Sequence, residues 1–180
     1  GRACFRAMLQ RCQGVCCGRE TPAEHAQRLL AATVAAARQQ GLSTAAAKPV
    51  ASGCRRTADG LRNDDALALL AQCSLPLHYE EVNPLAFEPA IAPHLAAREV
   101  GVVLDVASLY QSVRGVLDKG ADFSLVEGAG GWRVPLSGAQ TLSDLAADKG
   151  VAVDTVTAKV VSLLTTALDQ RLESLAADRV

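Results

Sequence analysis

The chain has 180 residues, 49% hydrophobic and 21% charged, which leaves room for one sizeable domain with a buried core and excludes wholesale disorder. Eighteen Lys and Arg against 19 Asp and Glu give a net charge of -1, and aromatics reach only 3%. That balance supplies neither a basic field for nucleic acid or an anionic membrane nor a stacking platform for single strands. The longest apolar run, Leu29 to Ala37, contains Thr33 and falls short of the roughly 20 residues of a spanning helix.

Residues 1–20 carry neither period 2 nor period 3.6 and read as an irregular Cys/Arg-rich segment. Cys4, Cys12, Cys16 and Cys17 crowd it, with Cys54 and Cys73 further on. No apolar signal-peptide core separates Arg2, Arg6 and Arg11 from Gln10 and Gln13, so free thiols in a reducing cytoplasm are expected. A thiolate site built from Cys12, Cys16, Cys17 and His25 fits usual zinc spacing poorly. Residues 21–180 read as a single α/β domain. Thr21-Pro22-Ala23-Glu24 starts a helix that runs through alanines to Gln40, and Gly41 stops it. Ser43 to Val50 predicts a short buried strand ending at Lys48-Pro49. Asn63 caps a helix through Leu70, with Leu67, Leu70 and Ala71 on one face. Pro84, Pro89 and Pro93 punctuate a loop before a helical stretch from His94 to Glu99, and His78 and His94 read as solvated or capping histidines. A further helix spans about Asp105 to Asp118, ended by Gly120. Phe123-Ser124-Leu125-Val126 predicts a central parallel strand emptying into Gly128-Ala129-Gly130-Gly131. From Thr141 onward the pattern is helical, with Val156, Val160, Leu164, Leu168, Leu172 and Leu175 as one stripe. The alternation favours an open, mostly parallel sheet flanked by helices over an all-α bundle.

Three segments can carry chemistry. Glu127 stands beyond the carboxyl end of a strand, where ligands of open parallel sheets bind, and bare glycines follow it. A carboxylate for Mg²⁺ and backbone donors for anionic oxygens suit a metal–phosphate complex; a solvated glutamate in an ordinary turn reads equally well. Lys48-Pro49-Val50-Ala51-Ser52-Gly53 aims a lysine that can neutralise a phosphate or carbamate, although a surface lysine before a turn is the commoner arrangement. Arg62-Asn63-Asp64-Asp65 places acids at a helix start, where they complement the macrodipole more often than they ligate metal.

In order and content, five blocks resemble the ATP-dependent dethiobiotin synthetases: Lys48-Pro-Val-Ala-Ser-Gly, Gly60-Leu-Arg-Asn-Asp-Asp65-Ala-Leu-Ala-Leu, Val82-Asn83-Pro84, Ala92-Pro93-His94 and Val126-Glu-Gly-Ala-Gly-Gly-Trp-Arg-Val-Pro-Leu136. The likeness covers 41–145. It implies an incomplete P-loop NTPase-like α/β fold, a cytoplasmic homodimer, and ATP- and Mg²⁺-dependent ring closure of 7,8-diaminononanoate with CO₂ or bicarbonate to dethiobiotin, a step of biotin biosynthesis. It further implies that Lys48 is the catalytic lysine and that Ser52, Pro135 and Leu136 lie against the diamine. By the same likeness Asp65 and Glu127 are the Mg²⁺ carboxylates, and Glu127, Gly128, Ala129 and Gly130 the nucleotide-phosphate segment.

The likeness stops on both sides. Where such enzymes carry a P-loop, this chain has Gly18-Arg-Glu-Thr-Pro-Ala-Glu-His-Ala26, and G-x-x-x-x-G-K-[ST] occurs nowhere in it. After Leu145 a helical segment, 146–180, replaces the expected strand and adenine-reading asparagine. These abrupt limits lead to the expectation that the ends derive from a shifted frame, a truncated gene or a redesigned fragment, and that phosphate binding is impaired. The rival expectation is a non-enzymatic interaction domain that uses the amphipathic helix 155–176.

Overall fold

The computed structural model describes residues 22–129, 134–138 and 140–147. The N-terminal cysteine segment, Gly130 and the stripe from Val156 to Leu175 lie outside the described residues. Helix α1, Pro22–Gln39, follows from an alanine-rich stretch of high helix propensity. The last turn closes at Gly41, whose φ of 77° is left-handed and suits glycine. Strand β1, Thr44–Ala47, is buried at every position and pairs in parallel with β6, Phe123–Val126.

Helices cover both faces of this pair, as a parallel sheet requires. Side chains alternate between two clusters. Ala45, Ala47 and Val126 join Leu109, Val113 and Val116 of helix α5, Val106–Leu117. Ala46, Phe123 and Leu125 join Leu30, Val34 and Ala37 of α1 and Leu69 of helix α2, Asp64–Leu70. Alanine is a poor strand former by propensity, yet here its small side chain fits between helices packed on both sides. Tertiary packing overrides propensity.

Polar contacts fix where the pair begins. The Asp122 carboxylate accepts from the Ser43 amide at 3.0 Å and the Ser43 hydroxyl at 2.6 Å. The amide of Thr44 donates to Ser74 Oγ at 2.8 Å, and Thr44 Oγ1 donates to the Gln72 carbonyl at 2.8 Å.

The single strand expected from Ser43 to Val50 is two. After Ala47 the chain leaves β6, and β2, Val50–Ala51, pairs in parallel with β5, Leu85–Ala86. Pro49 has no N–H to extend a ladder, and the Lys48 amide turns to the Val82 carbonyl at 2.7 Å. Strands β3, Arg55–Thr57, and β4, Gly60–Arg62, form an antiparallel hairpin. The loop expected to be punctuated by Pro84, Pro89 and Pro93 holds strand β5 and ends at helix α4, Pro93–Glu99, and an unexpected short helix α3, Tyr79–Val82, precedes it. On α2 the buried side chains are Ala66 and Leu69, while Leu67 and Leu70 are half-buried against Tyr79 and Val82 and Ala71 is exposed. The expected apolar face is therefore rotated by one residue. The cap at Asn63 fixes the helix phase and turns Ala66 and Leu69 toward the core. Thr141 lies in a bridge with Pro135, and the last described helix, α6, begins only at Asp144. Among the described residues no helix is long and apolar enough to cross a membrane.

Candidate active site

In the β1–β6 register Ala47 stands opposite Val126. The next residues, Lys48 and Glu127, therefore leave the carboxyl ends of adjacent parallel strands side by side. The Glu127 amide continues the ladder to the Ala47 carbonyl at 2.8 Å. This end of a parallel sheet is where open α/β folds bind ligands.

Asp65 arrives from a different direction. Asn63, with extended backbone, accepts the Ala66 amide on its side chain at 3.1 Å and so starts α2. Asp65 then falls in the first turn, where the helix dipole favours a carboxylate. Its Oδ2 lies 3.0 Å from Lys48 Nζ, while Glu127 Oε1 lies 2.7 Å from the same nitrogen. The Gly128 carbonyl stands 3.4 Å away. An ammonium has three hydrogens, and Lys48 meets these three acceptors.

Burial sharpens the electrostatics. The Lys48 side chain is 5% exposed and that of Glu127 11%, against 30% for Asp65. Burial pulls the Lys48 ammonium downward, but the Glu127 and Asp65 charges and their hydrogen bonds outweigh it, and the group is held above its ordinary value. Burial likewise pushes the Glu127 carboxyl up. The Lys48 charge and hydrogen bond offset only part of that, and Asp65 adds repulsion. Glu127 Oε2 is buried with no hydrogen-bond partner among the described residues. An orphaned carboxylate oxygen and a second carboxylate that shares the same lysine form a donor set that a hard divalent cation fits. No group of three or more His, Cys, Asp or Glu gathers among the described residues, so other ligands to such a cation would be water or substrate oxygens.

The remaining expected residues are more scattered. Ser52 is half-buried after β2, and Gly128 and Ala129 follow Glu127 directly. Leu136 is buried in the main core, whereas Pro135 is exposed. His78 stands at the N-cap of α3, just before Tyr79, and its amide donates to Glu81 at 2.7 Å. His94 lies in the first turn of α4 with Nδ1 buried and unpartnered among the described residues. Cys54 and Cys73 are free thiols. No role for Asn83 follows from the sequence pattern, yet it is 2% exposed and donates to the Lys48 carbonyl at 2.7 Å. A polar residue between Val82 and Pro84 was the signal available.

The model of the AAA domain family matches residues 29–166, most of the chain and all of the cluster. The chain belongs to the AAA domain family. A model for the middle domain of UvrC/Cho excinucleases matches residues 1–35. Three relatives of this AAA-domain chain are named ATP-dependent dethiobiotin synthetase. The protein of Pseudomonas paraeruginosa strain PA7 is 72% identical over 118 residues, which is 66% of this chain and 52% of that protein. That of Pseudomonas aeruginosa strain UCBPP-PA14 is 74% identical over 111 residues, 62% of this chain and 49% of that one. The Cellvibrio japonicus protein is 58% identical over 113 residues, 63% and 49% respectively. The chain thus spans about half the length of these curated relatives. The α/β architecture of parallel strands flanked by helices is the one expected of a P-loop NTPase-like domain, with a small, incomplete sheet.

Proposed function

We propose that this chain carries the carbamate-handling half of a dethiobiotin synthetase site, which closes a ureido ring from 7,8-diaminononanoate, CO₂ or bicarbonate, and ATP. The observation that carries the proposal is the meeting of Lys48, Asp65 and Glu127, drawn from three distant segments, at 3.0 and 2.7 Å. Relatives bearing that enzyme name support it.

The chemistry explains the residue types. One amine of the diamine adds to CO₂ and becomes a carbamate, whose negative charge makes it a poor electrophile. A carbamate oxygen attacks the γ-phosphorus of ATP, the bond to the β-phosphate breaks and ADP leaves, which converts that carbamate oxygen into a leaving group. The second amine then attacks the carbonyl carbon, the carbon–oxygen bond breaks, and phosphate departs with that oxygen. Negative charge stays on carbamate and phosphoryl oxygens throughout, so preorganised cationic and N–H donors are the useful groups. Lys48 is buried and charged, and it offers an ammonium to the carbamate. Asp65 and Glu127 would hold Mg²⁺, which when bound would neutralise phosphoryl oxygens. Ser52 hydrogen-bonds the diamine, Pro135 and Leu136 lie beside its chain, and the backbone of Gly128 and Ala129 faces the phosphates. No phosphate nest of the G-x-x-x-x-G-K-[ST] kind is encoded in the chain. A cytoplasmic homodimer is the setting we propose.

The test uses the full chain with 7,8-diaminononanoate, bicarbonate and MgATP. Product is followed by mass spectrometry and ligand binding by thermal unfolding. A ligand at 100 times its dissociation constant adds about 2.7 kcal/mol of stability, and Lys48→Ala should abolish both product and the ligand-dependent rise. The proposal would be refuted if the chain showed no turnover and no stabilisation with any combination of the three ligands.

A further inference from the structure

Behind the charged cluster runs a chain of hydrogen bonds that the reaction chemistry does not use. Tyr79 opens α3 and Asn83 closes it, and they are 8% and 2% exposed. The Tyr79 hydroxyl accepts the Asn63 amide at 2.7 Å and donates to Asn83 Oδ1 at 2.9 Å. Asn83 Nδ2 then donates to the Lys48 carbonyl at 2.7 Å and lies 3.4 Å from the Leu85 carbonyl. The Lys48 amide donates in turn to the Val82 carbonyl at 2.7 Å. One short helix therefore grips the Lys48 backbone on both sides and holds the residue that caps α2.

The polarity of this chain is forced. Turning the Asn83 amide over would set its oxygen against the Lys48 carbonyl, two acceptors facing each other without a proton. With Nδ2 committed to Lys48, Oδ1 must accept, so the Tyr79 hydroxyl must donate to it and can only accept from Asn63. Each donor polarises the next in a buried, low-dielectric setting. The ring of Tyr79 is held from its face by the Arg62 guanidinium, 4.2 Å from the centroid, which itself pairs with Glu80 at 3.1 Å.

We propose that Tyr79 and Asn83 are positioning residues that hold Asp65 in register with Lys48 through the backbone of Asn63 and the carbonyl of Lys48. The role rests on reading Lys48 and Asp65 as a working pair. A displacement of about 1 Å at such a site is enough to cost roughly a hundredfold in rate, and α2 and β1 are not consecutive in sequence. The bridge through α3 ties one to the other.

The test measures the coupling between Lys48 and Asp65 directly, without nucleotide or metal. Urea midpoints are taken for Lys48→Met, Asp65→Asn and the double variant, first in the native background, then with Tyr79→Phe, then with Asn83→Ala. Tyr79→Phe cuts the Asp65 end of the bridge and keeps the ring; Asn83→Ala cuts the Lys48 end, so either background decides if the other fails to fold. The expected result is loss of at least half of the non-additive part of the midpoint shift. A role in stability alone would lower every midpoint and leave the non-additive part intact, which would overturn the inference. Absence of coupling in the native background would do the same. Mn²⁺ binding, followed by electron paramagnetic resonance, supplies a second reading: Tyr79→Phe should weaken it about tenfold. Failure of the native chain to bind Mn²⁺ would remove the metal role proposed for Asp65 and Glu127, while the coupling would still decide the role of Tyr79 and Asn83.

Discussion

Replacing Lys48 by methionine keeps most of the side-chain volume and removes one charge, and the structure fixes what should follow. Glu127 Oε1 loses its partner at 2.7 Å and Asp65 its partner at 3.0 Å. Asp65 is partly exposed and can turn to water, but Glu127 is buried, with its other oxygen already unpartnered among the described residues. Breaking one side of a buried ion pair costs about 3–5 kcal/mol, which for a chain of this size lowers the unfolding midpoint by roughly 6–20 °C. The cost should depend on pH. Burial already raises the Glu127 carboxyl above its ordinary value, and loss of the ammonium raises it further. A carboxyl with a higher pKa folded than unfolded binds its proton more tightly in the folded state. The deficit is therefore small below the unfolded value of about 4.3 and grows as pH climbs through the folded value. Urea denaturation at pH 5 and pH 8 should show the larger loss at pH 8. Adding Glu127→Leu should recover much of the loss, because two apolar side chains replace a buried pair. A deficit under about 1 kcal/mol that is the same at both pH values would refute this account of the cluster.

Asn63→Ala deletes the acceptor for the Ala66 amide; chemical denaturation should show a loss of about 1 kcal/mol. Gly53 has a φ of 72°, and an added Cβ would stand 3.4 Å from that of Ala90, so Gly53→Ala should destabilise by roughly 1–2 kcal/mol; a neutral effect in thermal unfolding would show that the loop relaxes. Burial pushes the Cys73 thiol up to about 11, leaving almost no thiolate near neutrality. Peptide mapping after iodoacetamide at pH 7.5 should find Cys73 largely unmodified in the native chain and fully modified after denaturation.

Elements with local punctuation were legible from sequence. Asn63 accepts the Ala66 amide as a cap should, and the helix expected over about Asp105 to Asp118 runs Val106–Leu117, with Val106, Leu109, Val113 and Val116 buried. The apolar run Phe123–Val126 became a parallel strand as expected, though among the described residues it pairs with β1 alone rather than sitting centrally. Other pieces carried no periodic signal. The hairpin of Arg55–Thr57 and Gly60–Arg62 is largely polar and exposed, its one cue being Asp59-Gly60, and helix α3 is a single turn. The three charged site residues were nameable in advance through their motifs. Their meeting was not derivable locally, since it depends on a pairing across 79 residues and on the phase of α2. Asn83 was invisible as a contact because its partner is a backbone carbonyl, which leaves no trace in sequence.

The run of three alanines in β1 has a consequence for how the domain can vary. Ala45 and Ala46 are wholly inaccessible and Ala47 is 1% exposed, with a helix layer on each side. Larger residues there would wedge the layers apart, and the wedge would open at the strand end that carries Lys48. Substitutions far from any reacting atom could thus disable the site by widening it, so the tolerance of this short strand to bulk is a gauge of how tightly the architecture clamps its own chemistry.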